Sequence, residues 1–267
     1  MKITTRTRKS HYWNEDRFVL GTNYFMVIDG ATPLIKTNDF NEACWMVSYL
    51  KENINKLNGS IIERLNKLSR DGFKKLPVKI KEEDYLPSAS LAFVEVTDEY
   101  FNAYTLGDCE VTFILQDGSI KRCYETDLSI LDNISIKELV TISKEKQIHV
   151  VEARPYIKDT LLKHRKLINK EGGYKGYQLS SDSNISLAKY QIRKDLVKEI
   201  YIYSDGFSQS FEHLHIYDTH EEMFSRSLDL DEEITKIKNQ AFSDPYCDKY
   251  PRLKKIDDIT VIKIELE

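Results

Sequence analysis

The sequence has four cysteines, Cys44, Cys109, Cys123 and Cys247, and none of them forms a CxxC pair. That spacing excludes a disulfide framework and reads as reduced thiols. Long apolar runs are missing as well. None approaches the roughly 20 residues that a bilayer-spanning helix needs. Met1-Lys2-Ile3-Thr4-Thr5-Arg6 opens no signal peptide, so the expected location is the cytoplasm, away from any membrane. Neither charge sign dominates, with 39 Lys and Arg against 43 Asp and Glu and a net charge of −4. No electrostatic reason to expect nucleic acid follows from that balance. Repeats, low-complexity tracts and linkers are absent too, and the 267 residues read as a single domain spanning 1–267.

Of the residues present, 41% are hydrophobic, enough for a sizeable core. The chain is organised around Tyr24-Phe25-Met26-Val27-Ile28-Asp29-Gly30. A short apolar run that stops at a carboxylate and a glycine reads as a strand buried on both faces. The pattern recurs where Glu199 to Ser204 meets Asp205-Gly206, and where Ala103 to Leu106 meets Gly107-Asp108. It is inverted near the C-terminus, where Asp257-Asp258 precedes Ile259 to Leu266.

In chain order, Phe18 to Leu20 and the Gly21-Thr22-Asn23 turn predict a hairpin into the Asp29 strand. Helical spacing predicts two helices between Asp39 and Leu76, with Asp39 and Glu42 capping the first and Asp71-Gly72 ending the second. Strands are expected from Ser88, from Tyr100 to Leu106, and in a hairpin turning at Asp117-Gly118. Residues Ser135 to Asn169 read as mostly helical. Gly172 to Tyr177 reads as a loop that could flank a site, leading to a short strand at Gln178-Leu179. After the Asp205 strand, Thr219-His220-Glu221-Glu222 predicts a capping box, and Asp229 to Ala241 another helix.

A fold that gathers these strand ends also gathers Asp29, Asp205 and Asp257, with Glu15 or Asp16 nearby. Unpaired carboxylates desolvated together repel one another, and a divalent cation resolves that. An all-oxygen donor set suits Mg²⁺ or Mn²⁺. Gly30 permits close backbone approach, so its carbonyl is a candidate ligand. Any single Asp-Gly is an ordinary turn signal. Four strand-terminal carboxylates together carry the metal reading.

The ordered series Asn14-Glu15-Asp16, Val27-Ile28-Asp29-Gly30, Leu106-Gly107-Asp108, Ser204-Asp205-Gly206-Phe207 and Asp257-Asp258-Ile259-Thr260-Val261-Ile262 resembles the metal-dependent Ser/Thr protein phosphatases of the PPM, or type 2C, family in a minimal bacterial form. The resemblance covers nearly the whole chain. It implies an α+β fold, a sandwich of two packed antiparallel β-sheets flanked by helices on both sides. It also implies two Mn²⁺ or Mg²⁺ ions bridged by Asp29. Asp205 and Asp257 would complete the first ion's shell, and Glu15 and the Gly30 carbonyl would hold the second. Asp16 would order the attacking water, and Asp108 would belong to a third-metal site. The expected partners are a phosphorylated protein substrate and a cognate Ser/Thr kinase, with the chain acting as a monomer.

The sequence departs from the family pattern in three places. His11 stands where a phosphate-binding arginine is usual, with Arg8 and Lys9 as alternative cations. An imidazole lacks the bidentate fork of a guanidinium. Gln209 stands where an acid would pair with Asp108 around a third metal. Asp258 replaces the commoner asparagine and is expected to support the site without ligating. A pseudophosphatase that binds a phosphorylated partner is the competing reading, resting on His11 and Gln209. A phosphatase for small metabolites keeps the chemistry and changes the substrate. His213-Leu214-His215 has the spacing for zinc, but with no further ligand nearby in sequence it reads as a solvated loop.

Overall fold

The computed structural model describes residues 1–35, 40–80 and 85–266. The chain begins with β1 (Lys2–Arg8), β2 (Asp16–Leu20) and β3 (Tyr24–Gly30), followed by helices α1 (Glu42–Asn53) and α2 (Ile61–Lys75). Strands β4 (Ser88–Val96), β5 (Tyr100–Leu106), β6 (Glu110–Leu115) and β7 (Ile120–Cys123) come next. A helical segment then carries α3 (Asp127–Lys146), a 3-10 stretch at Val150–Ile157 and α4 (Lys158–Arg165). After β8 (Tyr177–Gln178), β9 (Ala188–Arg193) and β10 (Val197–Tyr203) lie α5 (Asp205–Glu212), α6 (His220–Phe224) and α7 (Leu230–Ser243). Strand β11 (Ile259–Glu265) closes the chain.

One sheet has the order β1-β11-β10-β6-β7 and the other β2-β3-β4-β5-β9, with β8 added on β4. All of these pairings are antiparallel. Strand β3 shows why its sequence is apolar without alternation. Phe25 and Val27 face the other sheet, in a cluster with Val94, Phe113, Ile202 and Ile262. Tyr24, Met26 and Ile28 face Met46, Leu50 and Leu65 of α1 and α2. On the far side, Tyr201, Tyr203 and Val261 pack against Phe207 of α5, Phe224 of α6 and Ile234 of α7. The layers therefore run helix, sheet, sheet, helix, the α+β sandwich expected from the sequence. Each large side chain so buried contributes roughly 1.5–3 kcal/mol.

Several local expectations are corrected. Asp39 lies outside the described residues, and α1 is capped by Asn41, whose side chain accepts the Cys44 N–H. Gly72 does not end α2. It sits inside the helix, where an added Cβ would lie 2.9 Å from Leu179 Cδ2. Helix α3 begins at Asp127, eight residues before the expected Ser135. Strands β1 and β9 have partly exposed side chains along most of their length, so neither shows a buried apolar run. Asp205-Gly206 is a helix start rather than a turn. An added Cβ on Gly206 would lie 1.9 Å from the Asp258 carbonyl oxygen, so only glycine lets α5 pass that backbone.

Candidate metal centre

The antiparallel registers bring five acidic positions to one end of the sandwich. Asp16 opens β2 directly opposite Asp29, near the end of β3. Asp108 follows β5, Asp205 follows β10, and Asp257 precedes β11. Like charges placed opposite each other in a sheet are destabilising, so the Asp16–Asp29 pair calls for compensation. Burial pushes the Asp29 carboxyl well above its ordinary value, with Asp16, Asp205, Asp108 and Asp257 adding to the effect. Asp205 is pushed well up in the same way, by burial and then by Asp257 and Asp108. Asp16 is raised to about 7, chiefly by burial.

Local sequence explains each placement. Gly107 has φ +78°, and a Cβ there would lie 2.1 Å from Ser90 Oγ. Glycine thus permits the turn that presents Asp108, whose N–H donates to Ser90 Oγ at 3.2 Å. Ser204 precedes α5 without capping it. Its hydroxyl donates to Asp16 Oδ2 at 2.7 Å and accepts the Thr260 N–H at 3.0 Å. This serine ties β2, β10 and β11 together behind the carboxylates.

Glu15 and Gly30 meet through their backbones next to the Asp16–Asp29 pair. The Glu15 carboxylate accepts Thr32 Oγ1 at 2.5 Å and Asn41 Nδ2 at 2.7 Å, and it lines a cleft with Asp257. Gly30 donates its N–H to the Glu15 carbonyl at 3.0 Å, and an added Cβ would lie 2.8 Å from that oxygen. Its glycine is needed for this backbone crossing. Asp258 contacts the backbone around Glu15. It accepts the Ser10 N–H and hydroxyl at 2.6 and 2.8 Å and the Glu15 N–H at 2.6 Å. The loop that carries His11 is pinned at both of these points. His11 itself is exposed and lines a cleft with Glu15, Lys254 and Asp257. Arg8 points elsewhere, to Asp231 at 3.2 Å. His213 and His215 follow α5; His215 is exposed, as a solvated loop would have it, whereas His213 is half-buried and lines the carboxylate cleft with Asp205 and Gln209.

Four residues at this site were not singled out from sequence. Asp132, on α3, lines the cleft with Asp108, and burial together with Asp108 raises it to about 7. Arg154 and Arg165 reach the same cleft from the helical segment. Lys254 donates to Asp257 Oδ1 at 2.8 Å. Only Lys254 had a usable sequence signal, a cation three residues before a proposed ligand. The other three come from a segment far from the motifs.

Among the described residues, the group with ligand atoms within 4.8 Å of one another is Asp29, Asp108 and Cys109. Asp205 and Asp257 line the same cleft outside that tightest group. The Cys109 thiol is buried and pushed well above its ordinary value by burial and then by Asp29. It is therefore protonated and unsuited to a hard cation. The remaining donors are oxygens, and two of them, Asp16 Oδ1 and Asp205 Oδ1, are buried without a hydrogen-bond partner. Such orphaned carboxylate oxygens fit a divalent cation. Gln209, buried beside this cleft, also leaves Oε1 without a partner.

Solved structures of bacterial Ser/Thr phosphatases share this fold. The Staphylococcus aureus phosphatase Stp1 aligns over 100% of this chain and 95% of its own, with a TM-score of 0.58 and 12% identity. The catalytic domain of PstP in complex with two manganese ions aligns over 99% and 97%, with a TM-score of 0.54 and 12% identity. PppA, a regulatory component of the type VI secretion system of Pseudomonas aeruginosa, aligns over 99% and 97%, at 0.56 and 9%. No protein-family model matches the sequence. A comparison with curated proteins gives no match either.

Proposed function

We propose that the chain is a PPM-type phosphatase that hydrolyses phosphoserine and phosphothreonine in proteins with two Mn²⁺ or Mg²⁺ ions. The observation that carries this reading is the convergence of Asp16, Asp29, Asp108, Asp205 and Asp257, with two orphaned carboxylate oxygens, inside the phosphatase fold. Asp29 and Asp205 would hold the ions, with Asp257 completing one shell. The Glu15 carboxylate, already oriented by Thr32 and Asn41, and the Gly30 carbonyl would serve the second. When bound, the ions supply charge neutralisation for the phosphate and a water acidic enough to attack phosphorus.

The chain's own groups do the rest. Asp16 keeps Oδ2 fixed by Ser204 and leaves Oδ1 free to accept a hydrogen bond from the attacking water. Asp29 would serve the ions, and its direct pairing with Asp16 across β2 and β3 holds the two carboxylates in one register. Asp258 holds the Ser10–Glu15 loop, so His11 stands at the rim of the cleft where a phosphate would enter. No covalent enzyme intermediate is needed, which agrees with the lack of a nucleophile motif.

The test is hydrolysis of a chromogenic phosphate ester and of phosphoserine and phosphothreonine peptides, with and without Mn²⁺. Manganese-dependent turnover that EDTA removes supports the reading, and the absence of turnover at saturating Mn²⁺ ends it. A second reading, a pseudophosphatase that binds phosphorylated partners, draws on Gln209 and on the Lys254–Asp257 ion pair. Tight phosphopeptide binding without hydrolysis would favour it.

A further inference from the structure

Lys254 is a side chain of this centre that neither the metal reading nor the phosphate chemistry uses. Its ammonium lies 2.8 Å from Asp257 Oδ1, an oxygen that also accepts the Asp258 N–H at 2.9 Å. Lys254 lines both the carboxylate cleft and the neighbouring cleft with Glu15 and His11. It therefore stands between the two groups of proposed ligands. Asp257, Asp205 and Asp29 are the anions acting on it.

The loop holds this lysine in place. Arg154 donates to the Leu253 carbonyl, one residue before it. Arg252 donates to the Lys255 carbonyl at 3.0 Å, one residue after. Arg252 is itself buried and anchored by Asp244 Oδ2 at 2.9 Å and by the Tyr250 carbonyl at 2.6 Å. Two braced arginines thus fix the backbone on either side of Lys254. Its four-carbon stem still leaves the ammonium free to swing.

We infer that Lys254 is a tethered counter-cation of the metal centre, neutralising Asp257 in the metal-free protein and competing with a divalent ion for that carboxylate. This inference rests on the proposed metal reading. A divalent ion that engages Asp257 must displace the ammonium or bind beside a like charge, and both weaken its binding. The residue thereby sets the metal concentration at which the site loads. Removing the charge while keeping the stem length should tighten metal binding, and keeping the charge should not.

The test is isothermal titration of the full chain with Mn²⁺, comparing wild type, Lys254→Met and Lys254→Arg. Lys254→Met is expected to bind Mn²⁺ about tenfold more tightly or better, with Lys254→Arg close to wild type. In EDTA, Lys254→Met should unfold at a lower temperature than wild type, and Mn²⁺ should raise its midpoint by more. Should Lys254→Met fail to fold, Lys254→Gln removes the charge while leaving a donor for Asp257, and the same tightening is expected. Mn²⁺ binding that is unchanged or weakened in Lys254→Met and Lys254→Gln overturns the inference and leaves the metal reading standing. A rise in KM with unchanged Mn²⁺ affinity also overturns it, by assigning the ammonium to the phosphate. If neither wild type nor the variants bind Mn²⁺, the metal reading falls and takes this inference with it.

Discussion

Asp258 accepts the backbone N–H of Glu15 at 2.6 Å with one carboxylate oxygen, while its other oxygen takes the N–H and hydroxyl of Ser10. A single carboxylate at the mouth of β11 therefore closes the loop between β1 and β2. Asp258→Ala removes all three acceptor contacts, each worth roughly 1.5–3 kcal/mol to a charged group. The expected loss is about 3 kcal/mol or more of unfolding free energy by urea titration, with a raised KM. Asp258→Asn keeps the shape but replaces one acceptor oxygen with an amide donor, and should lose about 1–2 kcal/mol. A loss below about 0.5 kcal/mol for Asp258→Ala would show that the loop is held by other contacts.

Asp29→Asn is expected to be the most damaging single change to activity, because one carboxylate serves both proposed ions. Mn²⁺-dependent turnover should fall by about 10³-fold or more, equivalent to roughly 4 kcal/mol of barrier. The metal-free variant should unfold no earlier than wild type, since burial and then Asp16, Asp205, Asp108 and Asp257 already disfavour the charged carboxylate that the amide replaces. Turnover measured beside thermal unfolding in EDTA checks both halves, and retained turnover would sink the two-ion arrangement.

Asp205→Asn and Asp257→Asn are each expected to raise the half-saturating Mn²⁺ concentration about tenfold. Both residues are assigned to one ion, so the double variant should fall well short of the product of the two effects. Metal titrations of the four proteins in the cycle decide this. Full additivity would place the two residues in separate sites.

His220 is buried on α6, and Thr112 Oγ1 lies 2.8 Å from its Nε2. Burial, and then Arg122, pushes its imidazole from 6.5 down to about 4. Between those values the unfolded chain binds a proton that the folded one refuses. Stability is thus present above pH 6.5 and is lost as the pH falls toward 4, by about 3 kcal/mol. His220→Phe, packed beside Phe211 and Phe224, should remove that portion of the acid sensitivity. Urea unfolding of both proteins across this pH range gives the slopes, and equal slopes would refute the assignment.

His11→Arg should lower KM for a phosphopeptide severalfold, because a guanidinium offers a fixed, bidentate fork to phosphate. Arg8→Ala should leave KM nearly unchanged, since Arg8 is engaged by Asp231 away from the cleft. Steady-state kinetics of the two variants check this. The opposite pattern would move the phosphate contact from His11 to Arg8.

The sandwich was legible because β3, β4, β10 and β11 carry short apolar runs buried on both faces along most of their length, with Asp-Gly at or just after the ends of β3 and β10 and Asp-Asp just before β11. The acidic positions were legible for the same reason, since each adjoins a strand end. Strands β1 and β9 were not, because their side chains are largely half-exposed and their pairing partners lie far away in the chain. Tertiary structure alone decided that Asp205-Gly206 starts a helix, through the close pass of the Asp258 carbonyl at Gly206. It also decided that Glu15 is clasped by Thr32 and Asn41, and that Asp132, Arg154 and Arg165 reach the cleft from α3, the 3-10 stretch and α4. Local pattern reports burial along one element. Which distant side chains meet across a cleft depends on packing between layers, and no periodicity in the chain encodes it.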